Sequence, residues 1–173
     1  VHPAHRGHGH GRALGSALLA ASGKRLRVWA HGGDSAARHL AQVLGLTLFR
    51  ELRQMRRPLA NLNLPEPVLP LDVTVRTFVP GQDEETAFRV IEDAFNEWPD
   101  RQPSTLGDWA ANTINRPSFE PWQLRLVDAP DGEAVGVAFT ILAGDFAYVD
   151  QVAVRADQRG RGIARALLVD AFE

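Results

Sequence analysis

The sequence predicts an α/β (α+β) protein, with a length that suits one ordinary domain or two partial ones. Three observations indicate this class. Apolar residues alternate in some segments and recur at helical spacing in others, an Asp-Gly turn joins two predicted strands, and a glycine-rich loop twice precedes a predicted helix. The composition agrees, because 45% of the 173 residues are hydrophobic and 23% are charged, as in a globular protein.

The first 59 residues are predicted to hold two helices and three strands. The pattern predicts a helix over Arg12–Ala21, a strand over Arg25–Ala30, a helix from the N-cap Asp34 to Gly45, and two short strands near Leu46–Arg50 and Arg53–Pro58. Three prolines between residues 60 and 72 then predict an extended linker, since proline fixes φ and has no N–H to donate.

Residues 73–173 are predicted to hold four strands and three helices. In chain order these are a strand at Val73–Phe78, a helix capped by Asp83, a helix whose capping box pairs Thr105 with Asp108, a hairpin of Trp122–Val127 and Ala134–Leu142 around the Asp131-Gly132 turn, a strand at Phe146–Val154, and a helix over Gly162–Glu173. The second glycine-rich loop therefore joins the last strand to the last helix.

An internal repeat relates the two ends of the chain. Val1–Leu14 aligns with Val154–Leu167 at an offset of 153 residues, and seven of the fourteen positions are identical in the pattern V-x-x-x-x-R-G-x-G-x-small-R-A-L. We therefore expect the same loop of two tandem domains. Because the chain starts without Met and its last predicted helix has no stop signal, we also expect a piece of a longer protein.

The repeated loop has the features of a phosphate-binding loop. Glycines let the backbone turn tightly and approach an anion, and the N–H groups at a helix start favour negative charge. Arg159 and Arg161 add positive charge to the second copy. A dinucleotide-binding loop is the competing interpretation, but neither copy contains G-x-G-x-x-G, and neither contains the G-K-[ST] of a Walker loop.

With these residues the sequence resembles the GNAT family of acyl-CoA N-acyltransferases. The resemblance rests on the two R-G-x-G-x-G/A loops (Arg6–Gly11 and Arg159–Ala164), on the strand end Val152–Val154, and on the R-A-L helix that follows each loop. It implies the GNAT fold, in which helices flank a mixed and mostly antiparallel sheet.

The resemblance also divides the chain. It implies that residues 1–59 are the C-terminal half of a first GNAT domain, residues 60–72 a Pro-rich linker, and residues 73–173 the N-terminal part of a second GNAT domain. Among tandem pairs, the sequence is similar to the actinobacterial mycothiol synthase-like proteins, which acetylate the cysteinyl amine of a pseudodisaccharide. Those proteins usually carry His-Pro-Glu-Gln-Gly where residues 98–102 read Trp-Pro-Asp-Arg-Gln, so the amine is left open.

The activity that the resemblance implies is acetyl transfer from acetyl-CoA to a primary amine of a small molecule, by direct attack on the thioester and without a metal. Val152, Ala153 and Val154 would carry the pantetheine, and the backbone N–H of Val152 would meet the oxyanion. The residues expected to hold the pyrophosphate are Arg159, Gly160, Arg161, Gly162, Ile163 and Ala164 in the second copy, and Arg6, Gly7, His8, Gly9, His10 and Gly11 in the first.

Three carboxylates are candidates for contact with the amine. The amine must lose a proton before it attacks, so a base is expected nearby. Asp150, two residues before Val152, is the candidate base, and the alternative is a solvated Asp on a strand. Glu97 and Asp100 lie where the substrate enters in GNAT folds and are candidates for holding its ammonium group. The Tyr that usually protonates the leaving thiolate is replaced by Ala41 in the first copy.

Charge and histidine distribution raise two further interpretations, which we set aside. Residues 1–60 hold ten basic and two acidic residues with all six histidines, whereas residues 61–173 hold nine basic and nineteen acidic ones. The basic residues are scattered and match no nucleic-acid-binding motif, so we expect no nucleic-acid partner. No carboxylate in the first thirty residues supports the histidines, so we expect no metal site.

The remaining expectations concern location and the rival functions. The chain has no Cys, hence no disulfide, thiolate metal site or Cys nucleophile, and it has no apolar run long enough to cross a bilayer. We expect a cytoplasmic protein without a membrane partner. The alternatives to the acetyltransferase are a non-catalytic acyl-CoA-binding or structural GNAT domain, or mycothiol synthase proper. A homodimer formed by exchange of half-domains is a further expectation.

Overall fold

Two structural units, Val1–Arg57 and Pro58–Glu173, make up the chain. The computed structural model describes residues 1–23, 26–58, 66, 68–99 and 101–172. None of the helices in those ranges combines the length and the apolar character that a transmembrane segment requires.

The first unit contains two helices, α1 (His10–Ser22) and α2 (Ser35–Val43), as predicted. The Asp34 carboxylate caps α2 by accepting a hydrogen bond from the N–H of Ala37 at 2.9 Å. The two helices meet at Gly15, where an added Cβ would lie only 2.4 Å from Cδ1 of Leu44. Glycine therefore permits the close approach of α1 and α2, although neither helix buries a residue.

The three strands predicted in the first unit are wrong for its described residues. None of residues 26–30 and 46–58 lies in a strand, and Arg25 lies outside the described residues. A strand is held by a ladder of hydrogen bonds to a neighbour, which the alternation of apolar side chains does not supply. Trp29, Leu48 and Met55 are instead 77%, 87% and 90% exposed.

Four strands form one antiparallel sheet in the second unit. They lie side by side in chain order: β1 (Thr74–Thr77), β2 (Leu124–Asp128), β3 (Ala134–Ala143) and β4 (Phe146–Val154). The predicted class and the predicted order of the strands along the chain are confirmed. One detail differs, since Trp122 lies in the 3-10 turn Pro121–Gln123 that precedes β2.

Three helices cover the two faces of this sheet. They are α3 (Glu84–Asn96), α4 (Leu106–Asn112) and α5 (Ile163–Asp170). Ile91 of α3 and Trp109 of α4 share a buried cluster with Phe139 of β3, whereas α5 packs on the opposite face against Ala138. At Gly136 an added Cβ would lie 3.0 Å from Cγ2 of Ile163, so this glycine brings α5 close to β3. The loop between β4 and α5 is thereby fixed at both ends.

Asp83 precedes α3 as predicted, but its carboxylate does not cap the helix. It accepts two hydrogen bonds from Arg76, at 2.6 and 2.9 Å, and one from the N–H of Val79 at 2.7 Å. Arg76 also donates to Asp128 at 2.5 Å. Burial acts to raise the pKa of Asp83, but these donors lower it overall. The network ties β1, the start of α3 and β2 together at the sheet edge opposite β4.

Candidate active site

The second glycine-rich loop connects the end of β4 to the start of α5. After a 3-10 turn at Ala156–Gln158, Gly160 has φ +77° and Gly162, the N-cap of α5, has φ +89°. Both angles lie in the left-handed region that glycine adopts readily. A Cβ added at Gly160 would meet nothing within 4 Å, and one at Gly162 would lie 3.8 Å from the carbonyl oxygen of Val68. The space in front of the loop is therefore open.

Backbone donors line this loop. The N–H of Ala166 is the first in α5 to bond back along the chain, to the carbonyl oxygen of Gly162 at 3.0 Å. Within the described part of the chain, the N–H groups of residues 160–165 have no hydrogen-bond acceptor. The start of a helix leaves such donors unpaired, and its dipole favours an anion. The loop can therefore bind a phosphate group.

The end of β4 presents further backbone groups beside the loop. The N–H of Arg155 donates to the carbonyl oxygen of Val135, so the pairs Gly136–Val154 and Ala138–Val152 are of the non-hydrogen-bonded type. The N–H and C=O of Val152 consequently point away from β3. They face the side of β4 that carries no partner strand among the described residues, and an extended ligand could pair with them there.

A cleft of about 330 Å³ joins these features. It lies between the end of α3, the end of β4 and the loop. Its lining residues are Ala94, Phe95, Glu97, Trp98, Val152, Ala153, Val154, Arg159 and Ala164. The structure therefore brings together Glu97, the Val152–Val154 strand end and both ends of the loop, which the sequence had singled out separately.

Arg159 spans the cleft through an ion pair that the sequence did not predict. Its guanidinium donates to both carboxylate oxygens of Glu97, at 2.7 and 2.9 Å, and to the carbonyl oxygen of Val154 at 3.0 Å. The hydrogen bond from Arg159 holds the pKa of Glu97 below its ordinary value. Glu97 is thus at the cleft, as expected for a substrate contact, but it is bound to the loop.

Arg161 is paired in the same way on the other side of the loop. Its guanidinium donates to Asp72 and to the side chain of Gln158. The hydrogen bond from Arg161 lowers the pKa of Asp72. A second cavity of about 360 Å³ adjoins this arginine and is also lined by Gly162 and Arg165.

Asp150 is the extra residue of a β-bulge. Gln151 lies opposite Phe139 and Val149 lies opposite Thr140, so Asp150 has no partner on β3. Bulges redirect side chains and are common beside active sites. Although the residue as a whole is exposed, burial of the carboxyl among surrounding protein atoms raises the pKa of Asp150, and Arg116 opposes this effect. Asp150 does not line the cleft itself but lies two residues before Val152 on β4.

The first glycine-rich loop has the same backbone course as the second. A 3-10 turn at Pro3–His5 precedes Arg6, and Gly7 and Gly9 both have φ +81°, with Gly9 as the N-cap of α1. Arg6 and Arg159 have nearly equal angles, φ −72° and ψ 158° against φ −71° and ψ 161°. The sequence repeat is therefore a structural repeat of the loop.

The histidines of the first loop lie close to one another in pairs. His8 contacts the carbonyl oxygen of Arg6 at 2.9 Å, and its ring lies 6.1 Å from that of His10. In the described ranges, no group of three or more His, Asp or Glu side chains is placed to hold a metal ion.

The sequence analysis missed one buried carboxylate, which lies on α3. Glu92 accepts hydrogen bonds from Asn96 at 3.1 Å, from Arg101 at 2.5 Å and from the N–H of Ser104 at 2.7 Å. It thereby holds the segment between α3 and α4. The sequence did contain a signal of its burial, because residue 92 falls on the stripe of apolar positions that includes residues 88 and 95.

Asp100, predicted to contact substrate, lies outside the described residues.

Comparisons with known proteins agree with this geometry. The sequence model of the acetyltransferase (GNAT) family matches residues 85–173. Mycothiol acetyltransferase from Streptomyces coelicolor is 54% identical over 169 residues, and that from Streptomyces avermitilis is 55% identical over 169 residues. Each alignment covers 96% of this chain and 54% of the relative. The chain thus spans about half the length of the curated relatives it matches.

A solved structure extends the similarity to nearly the whole chain. The crystal structure of a GCN5-related N-acetyltransferase from Sphaerobacter thermophilus matches with a TM-score of 0.70 at 29% sequence identity, covering 99% of this chain and 56% of that one. The family match includes most of α3 and all of α4, β2, β3, β4, the second loop and α5. With more than half of its residues matched and the strand, loop and helix in place, the chain belongs to the GNAT acetyltransferase family.

Proposed function

We propose that the second unit carries the acetyl-CoA site and reacting groups of an N-acetyltransferase, in which a primary amine of a small molecule attacks the thioester directly. The observation that carries this proposal is the loop at 159–164. Its unpaired N–H groups lie at the start of α5, beside the outward-facing peptide groups of β4. An anion site next to a row of main-chain donors and acceptors suits a phosphorylated chain that contains amides.

The residues of the loop and strand fit the two parts of acetyl-CoA. The open space at Gly160 and Gly162 admits a pyrophosphate, and the N–H groups from Gly160 to Ala164 would hold it together with Arg159 and Arg161. Val152, Ala153 and Val154 would hold the pantetheine through the free side of β4. Bound there, acetyl-CoA supplies an activated acetyl group.

We assign Asp150 as the general base and the N–H of Val152 as the donor to the oxyanion. The ammonium form of the amine loses a proton to Asp150, directly or through water, and its nitrogen attacks the carbonyl carbon. The C–N bond forms, the C–S bond breaks, and the nitrogen gives up a second proton as the amide forms. The departing thiolate takes up this proton, directly or through water. The raised pKa of Asp150 and the outward direction of the Val152 N–H support these roles. Glu97 and Asp100 would hold the ammonium group.

The amine that we propose is the cysteinyl amine of a pseudodisaccharide. Support comes from the two relatives, 54% and 55% identical, that are named mycothiol acetyltransferase. Residues 98–102 differ from the His-Pro-Glu-Gln-Gly of the mycothiol synthase-like proteins, so other small amines should be assayed beside the cysteinyl compound. A mycothiol synthase proper would prefer the cysteinyl compound over all of them.

A second candidate function, acyl-CoA binding without catalysis, is favoured for the first unit. Its loop repeats the geometry of the second, but Ala41 of α2 stands where the family usually has a Tyr acid.

We propose that residues 1–59 belong to a first GNAT domain, with residues 60–72 as linker and residues 73–173 as part of a second. The structural repeat of the loop and the 96% coverage by one relative support this division.

We also propose that copies of the chain associate, by exchange of half-domains. The observation in favour is the set of exposed apolar side chains in the first unit, including Leu14 and Leu18, each 61% exposed. Light scattering should give the mass of a dimer. A monomer at micromolar concentration would contradict the exchange.

The test of the function uses the full chain. Isothermal titration with acetyl-CoA is followed by a thiol-release assay with the cysteinyl pseudodisaccharide and a panel of primary amines. We expect binding, and thiol release that requires an amine. Binding without release would favour the non-catalytic alternative, and the absence of binding would contradict both.

A further inference from the structure

Both arginines of the second loop are already paired with carboxylates from other segments. Arg159 is bound to Glu97, which directly follows α3, and Arg161 is bound to Asp72, which precedes β1. A loop that is built to receive a phosphorylated ligand therefore carries its own counter-anions. Any ligand phosphate that uses these guanidinium groups must compete with them.

Of the two carboxylates, Glu97 matters more for ligand binding, because it lies at the cleft and competes with a ligand phosphate for Arg159. Its two oxygens take two N–H groups of Arg159 in a bidentate pair, which is the geometry that a phosphate also uses. Its side chain lines the same cleft as Val152–Val154. The Glu97 and Arg159 side chains are 48% and 43% exposed, so the pair can open without unfolding its surroundings.

Arg159 has a further contact that does not depend on Glu97. Its Nε donates to the carbonyl oxygen of Val154, which anchors the guanidinium at the end of β4. When Glu97 leaves, Arg159 therefore stays at the mouth of the loop with two N–H groups available. The change is confined to one side chain.

We propose that Glu97 competes internally with the donor's pyrophosphate for Arg159, and that binding of a phosphorylated donor releases Glu97 into the cleft. The inference rests on the proposed function, since it takes the loop as the pyrophosphate site. Glu97 then selects for donors with a phosphate that can displace it. Its released carboxylate faces the cleft, where it attracts a cationic amine. Donor and amine binding are coupled by this exchange, and the coupling is reciprocal.

A double-mutant cycle tests the exchange. Calorimetry gives the Kd of CoA for the full chain, for Glu97→Gln, for Arg159→Gln and for the double variant, each at low and high salt. We expect Glu97→Gln to tighten CoA binding by about two- to fivefold, the range for an exposed ion pair, with a smaller gain at high salt. The gain should vanish in the Arg159→Gln background. Pantetheine, which lacks phosphates, should bind the wild type and Glu97→Gln equally.

The matched control is Glu133→Gln, which removes another exposed carboxylate paired with an arginine, Arg155. It should leave the Kd of CoA unchanged, and thermal melts check that every variant folds. Unchanged or weaker CoA binding by Glu97→Gln would overturn the inference, as would a gain that persists without Arg159. In either case, CoA binding by the wild type would leave the proposed function standing. A wild type that binds no CoA would overturn both.

Discussion

Two carboxylates near the Val152–Val154 strand end differ in the direction of their pKa shifts. The hydrogen bond from Arg159 lowers the pKa of Glu97, whereas burial raises that of Asp150 despite the opposing charge of Arg116. A group that accepts a proton works best with a raised pKa, and a group that binds a cation works best when it stays ionised. The environment of Asp150 therefore suits the role proposed for it, whereas Arg159 keeps Glu97 ionised while the two side chains are paired.

Replacement of the proposed base tests its role directly. Asp150→Asn is expected to lower kcat by about 10²- to 10⁴-fold, the usual contribution of a general base, without changing the Kd of acetyl-CoA. In the wild type, activity should be full above the pKa of Asp150 and fall as the pH drops through it. Because that pKa is raised, the fall should begin at a higher pH than for an ordinary Asp. Steady-state kinetics across pH measure both effects.

Asp145→Asn is the control for this substitution, because Asp145 lies in the exposed turn between β3 and β4. It should retain full activity. Folding favours the protonated form of Asp150, so the neutral Asn should not lower the melting temperature at neutral pH. Full activity of Asp150→Asn would show that another group takes the proton.

At the scale of elements, the second loop is determined by its two neighbours as much as by its own glycines. The non-hydrogen-bonded pairs at the end of β4 turn the peptide groups of Val152 outward, and α5 is held against β3 at Gly136. The loop between β4 and α5 has unpaired N–H groups, and the space in front of it is open. The strand supplies hydrogen-bonding groups for an extended chain and the helix start supplies the anion site.

Gly162→Ala tests the conformation of this element. At φ +89° an L residue is strained, so we expect a loss of about 1–2 kcal/mol in the free energy of unfolding and weaker CoA binding. Chemical denaturation and calorimetry measure the two losses. Gly107→Ala, in α4, is the control, since its added Cβ would make an ordinary contact at 3.9 Å from Oγ1 of Thr105. It should gain up to about 1 kcal/mol and bind CoA normally. Equal effects of the two substitutions would contradict the assignment.

The strands of the two units show how far periodicity alone can predict an element. Alternation predicted β1 correctly because this segment finds an antiparallel partner in the second unit. The same pattern at residues 26–30 gave no strand, since no ladder forms there among the described residues. A strand forms only when two segments pair. The pattern of one segment therefore predicts a strand only where a second segment is available to pair with it.

At the scale of the whole molecule, a formal charge of −2 hides specific pairing of the acidic residues in the second unit. Arg76 pairs with Asp83 and Asp128, and Arg125 pairs with Asp170. A fourth ion pair, between Arg101 and Glu92, holds the segment between α3 and α4. These ion pairs join different segments of the folded second unit, so they link stability to pH.

The pH dependence of stability follows from the lowered pKa values. Burial acts to raise the pKa of Glu92, but Arg101, the N–H of Ser104 and Asn96 lower it below the ordinary 4.5, and that of Asp83 lies below 3.8. Their contribution is complete above the ordinary values and is lost as the pH falls through the lowered ones. The melting temperature of the second unit should therefore be flat near neutral pH and fall below about pH 4.

Glu92→Gln isolates one part of this effect. We expect it to cost about 1–2 kcal/mol at neutral pH, because a charged acceptor of three hydrogen bonds is lost, and to flatten the acid dependence. Differential scanning calorimetry from neutral to acid pH measures both. An acid slope identical to that of the wild type would mean that Glu92 does not contribute to it.

The sequence by itself determined the fold class, the order of elements in residues 73–173, the repeat of the glycine-rich loop and the family resemblance. These depend on local periodicity, turn chemistry and motif spacing, which are properties of neighbouring residues. Only the tertiary structure decided that Arg159 binds Glu97, sixty-two positions away, and that Asp150 is the extra residue of a bulge. Ion-pair partners and strand register depend on how distant segments meet, and a single sequence carries no direct signal of that meeting.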